Sequence, residues 1–202
     1  MSRLKIGVVT ARFNNEITEK LEEGAISYLE NCENVEIFAA LVPGAVEIPL
    51  ACQAFLDGGC DGVIALGVVI RGETSHYDYV CNSVTDGVTR LMLDYKKPIG
   101  FGVLTTENEE QALARAGGEH GNKGAEAAQV VMEMIGLTQE IPIAIKTFEQ
   151  ENKAAMKAAA KKAPAKAAKK APTKKAAASK KAKKTAAKPV KKAAKKANKV
   201  RK

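Results

Sequence analysis

The stretch GVIALGVVIRGETSH, residues 62–76, indicates the fold class most clearly. Its first nine residues are almost wholly apolar and do not alternate with polar ones, which is typical of a strand buried on both faces of a parallel sheet. The remaining six are mostly polar and end at His76, one of only two histidines in the chain. Open parallel sheets bind ligands at the carboxyl ends of their strands, so this junction is a candidate site.

Outward from this stretch, the chain alternates apolar runs with amphipathic segments. The other predicted strands are Leu4–Ala11, Val35–Val42 and residues 98–105, all short and rich in apolar residues. Helices are predicted within residues 16–32, 43–59, 75–95, 107–117 and 122–137. Tyr79 is expected on the apolar stripe of the third helix, and GGEHG (117–121) is expected to form a loop between the last two. The order βαβαβαβαα predicts an α/β fold, a doubly wound three-layer sandwich around a four-stranded parallel sheet.

Charge and composition change sharply after residue 150. Residues 1–150 contain 22 acidic and 11 basic residues, whereas residues 151–202 contain 21 basic residues and one acidic residue. Twenty lysines and 19 alanines dominate the second segment, which has three prolines and no aromatic residue. Because such a segment has too little apolar surface to form a core, we predict a folded domain over 1–150 and a disordered basic tail over 151–202.

The four cysteines and the apolar runs indicate a cellular compartment. No two cysteines have CxxC spacing, and two histidines are too few to complete a metal site nearby. We therefore expect reduced thiols in a cytoplasmic protein that has no metal site. The first apolar run, residues 6–11, is too short for a secretory signal, and no run approaches the roughly 18 residues of a membrane span. We expect no membrane partner.

Two of the predicted strand ends carry residues that suit a ligand. Phe13 and Asn14 follow the first strand. Phe13 either folds back onto the core or stacks on a flat heterocycle, with the Asn14 amide as a hydrogen-bonding partner. After the third strand, Gly72 allows close approach of a ligand, and Thr74 and Ser75 can cap the following helix. The free amides at that helix start favour a phosphate, although ordinary capping explains the same residues.

Three ionisable side chains have a structural and a functional interpretation each. His76 falls in the first helical turn beside the predicted phosphate site, where it would transfer protons if it is not simply solvated. Arg115 follows several acidic residues and forms either a surface salt bridge or a two-pronged contact with a phosphate. Lys123 has the same two interpretations.

Together, these loops resemble the lumazine synthase family. The resemblance rests on RFN (12–14), VPGAVEIP (42–49), GVVIRGETSHYDYVC (67–81), PIGFGVLTTENEEQALARAG (98–117) and GNKGAEAA (121–128), which are collinear with the family over residues 4–136. It implies a flavodoxin-like fold and homopentamers, in some members arranged as an icosahedral shell. It also implies an active site between neighbouring subunits. The implied reaction condenses 5-amino-6-(D-ribitylamino)uracil with 3,4-dihydroxy-2-butanone 4-phosphate to give 6,7-dimethyl-8-ribityllumazine, the penultimate step of riboflavin biosynthesis.

The resemblance also implies roles for individual residues. His76 matches the general acid/base. The pyrimidine substrate would contact Phe13, Asn14, Ala45, Val46, Glu47, Val68, Val69, Ile70 and, from the adjacent subunit, Phe101. The phosphate would contact Thr74, Arg115, Lys123 and the backbone N–H of Glu73, since a carboxylate would repel it. The reaction needs no cofactor and no metal.

The tail lies outside the resemblance. Its composition is similar to that of linker-histone tails, which favours sequence-independent binding to nucleic acid or another polyanion. A solvated extension, or one that folds back on the acidic domain, fits the same composition. The alternative function is therefore a nucleic-acid- or polyanion-binding protein that acts mainly through this tail.

Overall fold

A computed structural model describes residues 3–162 of the 202-residue chain. Its elements in chain order are β1 Leu4–Ala11, α1 Asn15–Glu30, β2 Val35–Val42, α2 Ile48–Asp57, β3 Gly62–Ile70, α3 His76–Tyr95, β4 Ile99–Thr106, α4 Glu109–Ala114, β5 Ala116–Gly118, β6 Gly121–Asn122 and α5 Lys123–Lys162. A short 3-10 helix, Ala45–Glu47, precedes α2.

The four long strands form one parallel sheet in the order β2-β1-β3-β4. The central strands β1 and β3 are buried over most of their length, because helices cover both faces of the sheet. One core cluster joins Ile6 and Ile64 to helices α1, α4 and α5, and another joins Val9 and Val63 to α2 and α3. The predicted doubly wound three-layer sandwich is confirmed.

Spacing along the helices explains how each one packs. In α1, Ile17, Leu21, Ala25 and Leu29 recur every four residues and are all buried against the sheet. Close packing on β4 depends on a glycine, since a Cβ at Gly100 would collide with the backbone carbonyl of Ala127 in α5. The helices are thereby fixed against the sheet, and the carboxyl ends of the strands stay open.

The structure differs from the prediction in three places. The predicted loop GGEHG (117–121) lies in the β5–β6 hairpin. Tyr79, expected on the apolar stripe of α3, is 72% exposed. Helix α5 was predicted to end near residue 137 but continues to Lys162, with Pro142 inside it and its last part rich in alanine and lysine. Both residue types favour helix, which accounts for the extension.

Helix α5 crosses residue 150, where composition places the domain boundary, and the compact unit extends through Ala158. The remainder of the predicted disordered tail lies outside the described residues. None of the helices in residues 3–162 combines the length and hydropathy that a membrane span requires.

Candidate active site

A cavity of about 380 Å³ opens at the carboxyl ends of β1 and β3. We call it the rim cavity. Its lining residues are Phe13, Asn14, Gly44, Ala45, Val46, Val68, Val69, Ile70, Gly72, Thr74, His76, Tyr77 and Val80. Nine of these are predicted site residues, so four separate segments of the sequence converge on one largely apolar pocket with a few polar groups, the usual make-up of a ligand site.

The loop after β1 forms one wall of the rim cavity. Its backbone is tied to the end of β2, since the Arg12 amide donates to the Val42 carbonyl at 2.8 Å. Phe13 is 71% exposed, so it does not fold back onto the core and leaves its ring free for a ligand. Asn14 adopts a left-handed conformation, with φ 61°, and its side-chain amide donates to the Val68 carbonyl at 3.2 Å. That amide therefore holds the loop against β3 as well as lining the cavity.

The opposite wall is the loop from β3 into α3. His76 is the first residue of α3, and its amide donates to the Thr74 hydroxyl at 3.4 Å. Of the two predicted capping residues, Ser75 occupies the N-cap position without a side-chain capping bond, and the Thr74 hydroxyl, one residue earlier, accepts the bond from the helix. Because the N-terminus of this 20-residue helix lies at the cavity, its amide groups and dipole favour an anion there.

Tyr77 and Val80 line the rim cavity but were not predicted as site residues. Burial raises the pKa of the Tyr77 hydroxyl, so this group remains neutral at physiological pH. Val80 could have been predicted from its spacing, because it lies four residues after His76 and residues four apart share a helix face. For Tyr77 the sequence offers only its position beside His76.

A second depression, between β4 and α5, contains the remaining predicted cations. We call it the edge depression, since β4 is an edge strand of the sheet. Its lining includes Phe101, Arg115 and Lys123, and none of its lining residues is shared with the rim cavity. Phe101 is 42% exposed. A single chain therefore does not bring these three residues together with His76.

The two cations of the edge depression differ in their partners. Arg115 donates from Nη1 to the Gln111 carbonyl at 2.9 Å, one helical turn back, instead of forming the surface salt bridge that its sequence context suggests. Lys123 pairs with Glu126 at 2.7 Å, three residues on. The Gln111 carbonyl is neutral and does not compensate the charge of the Arg115 guanidinium. Within residues 3–162, no carboxylate forms a salt bridge with Arg115.

The two predicted acidic residues lie next to the rim cavity but do not line it. Glu47 is exposed at the end of the 3-10 helix, and its Oε2 is 3.2 Å from the place a Cβ would occupy on Gly44. Glu73 is exposed in the loop before α3. Among residues 3–162, no group of three or more His, Cys, Asp or Glu side chains is arranged to hold a metal ion.

Comparison with known proteins gives consistent matches. The family model described as 6,7-dimethyl-8-ribityllumazine synthase matches residues 3–139. The enzyme of that name from Bdellovibrio bacteriovorus is 83% identical over 165 residues, covering 82% of this chain and 88% of the relative. Those from Pediococcus pentosaceus and Desulfovibrio desulfuricans are 49% and 46% identical, over 69% and 68% of this chain and 92% and 90% of the relatives.

The Bdellovibrio match is longer than the other two, which cover 145 and 143 residues. Only two residues precede the family match, so the 165 residues shared with the Bdellovibrio enzyme must extend beyond residue 139. Similarity to this relative therefore continues into the C-terminal part of the chain.

Proposed function

We propose that this chain, which belongs to the 6,7-dimethyl-8-ribityllumazine synthase family, builds its active site from the rim cavity of one copy and the edge depression of a neighbouring copy. The reaction is the condensation of 5-amino-6-(D-ribitylamino)uracil with 3,4-dihydroxy-2-butanone 4-phosphate. The observation that carries the proposal is the convergence of nine predicted site residues, His76 among them, on one cavity.

In the rim cavity, the exposed ring of Phe13 stacks on the pyrimidine. The segments Ala45–Glu47 and Val68–Ile70 border the bound pyrimidine and its ribityl chain, the first with the 3-10 helix and the second with the end of β3. The phosphate of the other substrate lies at the start of α3, beside Thr74 and the backbone amide of Glu73. Both substrates then lie close to His76.

His76 serves as the proton carrier for the condensation. The aromatic amine attacks the ketone to form a carbinolamine, which loses water to become an imine. Phosphate then leaves, and the second nitrogen closes the ring with loss of water. Each step moves a proton, and a positioned imidazole typically contributes about 10²–10⁴-fold. Alignment of two substrates in one cavity supplies further acceleration.

The edge depression completes the site from a second copy. Arg115 provides a forked, charge-assisted contact for the phosphate, and Lys123 adds positive charge. Phe101 covers the bound pyrimidine. The separation of these residues from His76 within one chain supports a homo-oligomer, a pentamer or a shell of pentamers, in which each site spans two subunits.

Product formation by the purified full-length chain tests this proposal. Each substrate is supplied alone and then both together, and 6,7-dimethyl-8-ribityllumazine is followed by its absorbance, with inorganic phosphate measured in parallel. We expect lumazine and phosphate to be formed together, and only with both substrates. Phosphate release without lumazine would contradict the proposal.

A second proposal concerns residues 151–202, whose 21 basic residues and one acidic residue suit a polyanion. Lysine without aromatic residues favours phosphate contacts over base stacking, so binding should not depend on nucleotide sequence. In gel-shift titrations we expect full-length protein to retain DNA at low salt and release it steeply as salt rises. A truncation after Ala158 should not retain DNA. Retention that is absent at low salt would contradict this proposal.

We also propose that the protein resides in the cytoplasm. All four cysteines are free thiols in the structure, and Cys52 and Cys60 are buried. Unpaired, reduced cysteines are typical of a reducing compartment. Burial raises the pKa of Cys52 to about 12, so this thiol is unreactive.

A further inference from the structure

We propose that Arg71 is a positioning residue, which holds His76 and Tyr77 at the rim cavity by tying the first turn of α3 to the end of β4. The inference rests on the proposed function of His76. It concerns a residue that lies outside the lining of either depression.

Arg71 contacts the end of β4, the loop that follows it and the first turn of α3. Its backbone amide donates to the Thr106 carbonyl at 2.8 Å, which extends the pairing of β3 with β4 by one residue. Its guanidinium Nε lies 2.9 Å from a carboxylate oxygen of Glu107, and Nη1 lies 3.3 Å from Oδ1 of Asp78. The guanidinium carbon is also 4.0 Å from the centre of the Tyr77 ring.

These contacts hold the residues that follow the loop between β3 and α3. Residues 71–76 are all exposed, and a Cβ on Gly72 would meet nothing within 4 Å, so packing does not fix this loop. Tyr77 and Asp78 directly follow His76 in α3. Core packing fixes α3 from Val84 onward but not this first turn, and by holding both residues the Arg71 side chain orders the turn and with it the His76 imidazole.

Only arginine supplies this combination of contacts. Its planar fork presents separate N–H groups to Glu107 and Asp78, while its flat face covers the Tyr77 ring. Lysine would keep the charge but would have neither the fork nor the face. Each ion pair is solvent-exposed and contributes little to folding stability, so loss of Arg71 should loosen the first turn of α3 rather than unfold the chain.

A double-mutant cycle between Arg71 and His76 tests the inference. We expect Arg71→Gln to lower kcat about tenfold and Arg71→Lys to lower it less, with KM for the pyrimidine and the melting temperature nearly unchanged. In the His76→Ala background, Arg71→Gln should have no further effect, because there is no imidazole left to position. Arg90→Gln is the matched control, since it removes one exposed ion pair, with Asp94, from the same helix.

The outcomes distinguish a failure of the proposed function of His76 from a failure of the proposed role of Arg71. If His76→Ala leaves kcat unchanged, the proposed function itself is contradicted. If His76→Ala lowers kcat but Arg71→Gln does not, or if Arg71→Gln lowers kcat equally in both backgrounds, only the role of Arg71 is overturned. Should Arg71→Gln fail to fold, Glu107→Gln breaks the same tie from the other side and should lower kcat in the same direction.

Discussion

The rim cavity and the edge depression differ in how much of a working site each one contains. The rim cavity has an exposed aromatic ring, a helix N-terminus and His76, which together can bind a heterocycle and move protons. The edge depression has Phe101 and two cations, and its one acidic lining residue, Glu126, is paired with Lys123. Under the proposed function, proton transfer and charge neutralisation lie on separate surfaces of one chain, and a complete site requires two copies.

The largest effect should come from the rim cavity. We expect His76→Ala to lower kcat by about a hundredfold or more, with KM for both substrates changing little, because proton transfer is lost and binding surfaces remain. Steady-state kinetics with both substrates varied measures this. His120→Ala is the matched control, since His120 is an exposed histidine paired with Glu119 in the β5–β6 hairpin. Equal kcat for the wild type and His76→Ala would remove the distinction between the two surfaces.

A smaller effect, of a different kind, should come from the edge depression. We expect Arg115→Ala to raise KM for the butanone phosphate about ten- to a hundredfold, as a lost charge-assisted contact costs about 1.5–3 kcal/mol. KM for the pyrimidine should change much less. For Arg115→Lys, KM for the butanone phosphate should lie between the values for the wild type and Arg115→Ala, since lysine keeps the charge and loses the fork. If both KM values stay at wild-type levels, Arg115 is a surface residue and the edge depression binds no phosphate.

The sheet and the rim cavity could be predicted from the sequence because both follow from short-range pattern. Apolar runs such as residues 62–70 mark buried parallel strands, and the carboxyl ends of such strands share one edge. The loops that follow them must therefore lie together. The resemblance to a family then named residues that pattern alone left ambiguous, Phe13 and His76 above all.

Other features could not be predicted, for physical reasons. The β5–β6 hairpin has strands of three and two residues, too short to show any periodicity. The length of α5 beyond residue 137 depends on residues that are exposed, so no buried pattern marks it. The Arg71 contact with Glu107 joins residues 36 positions apart, and only the folded sheet brings them together.

The division of one site between two chains is tested most directly by mixing subunits that lack different halves. His76→Ala and Arg115→Ala chains are purified separately, dissociated, mixed in equal amounts and reassembled, and lumazine formation is measured at low butanone phosphate. If each site spans two neighbours in a ring, about one quarter of the sites regain both wild-type halves. We therefore predict about a quarter of wild-type activity from the mixture, far above that of either variant alone. A mixture no more active than the average of the two variants would mean that each chain builds its own site, and would overturn the proposed division between two chains.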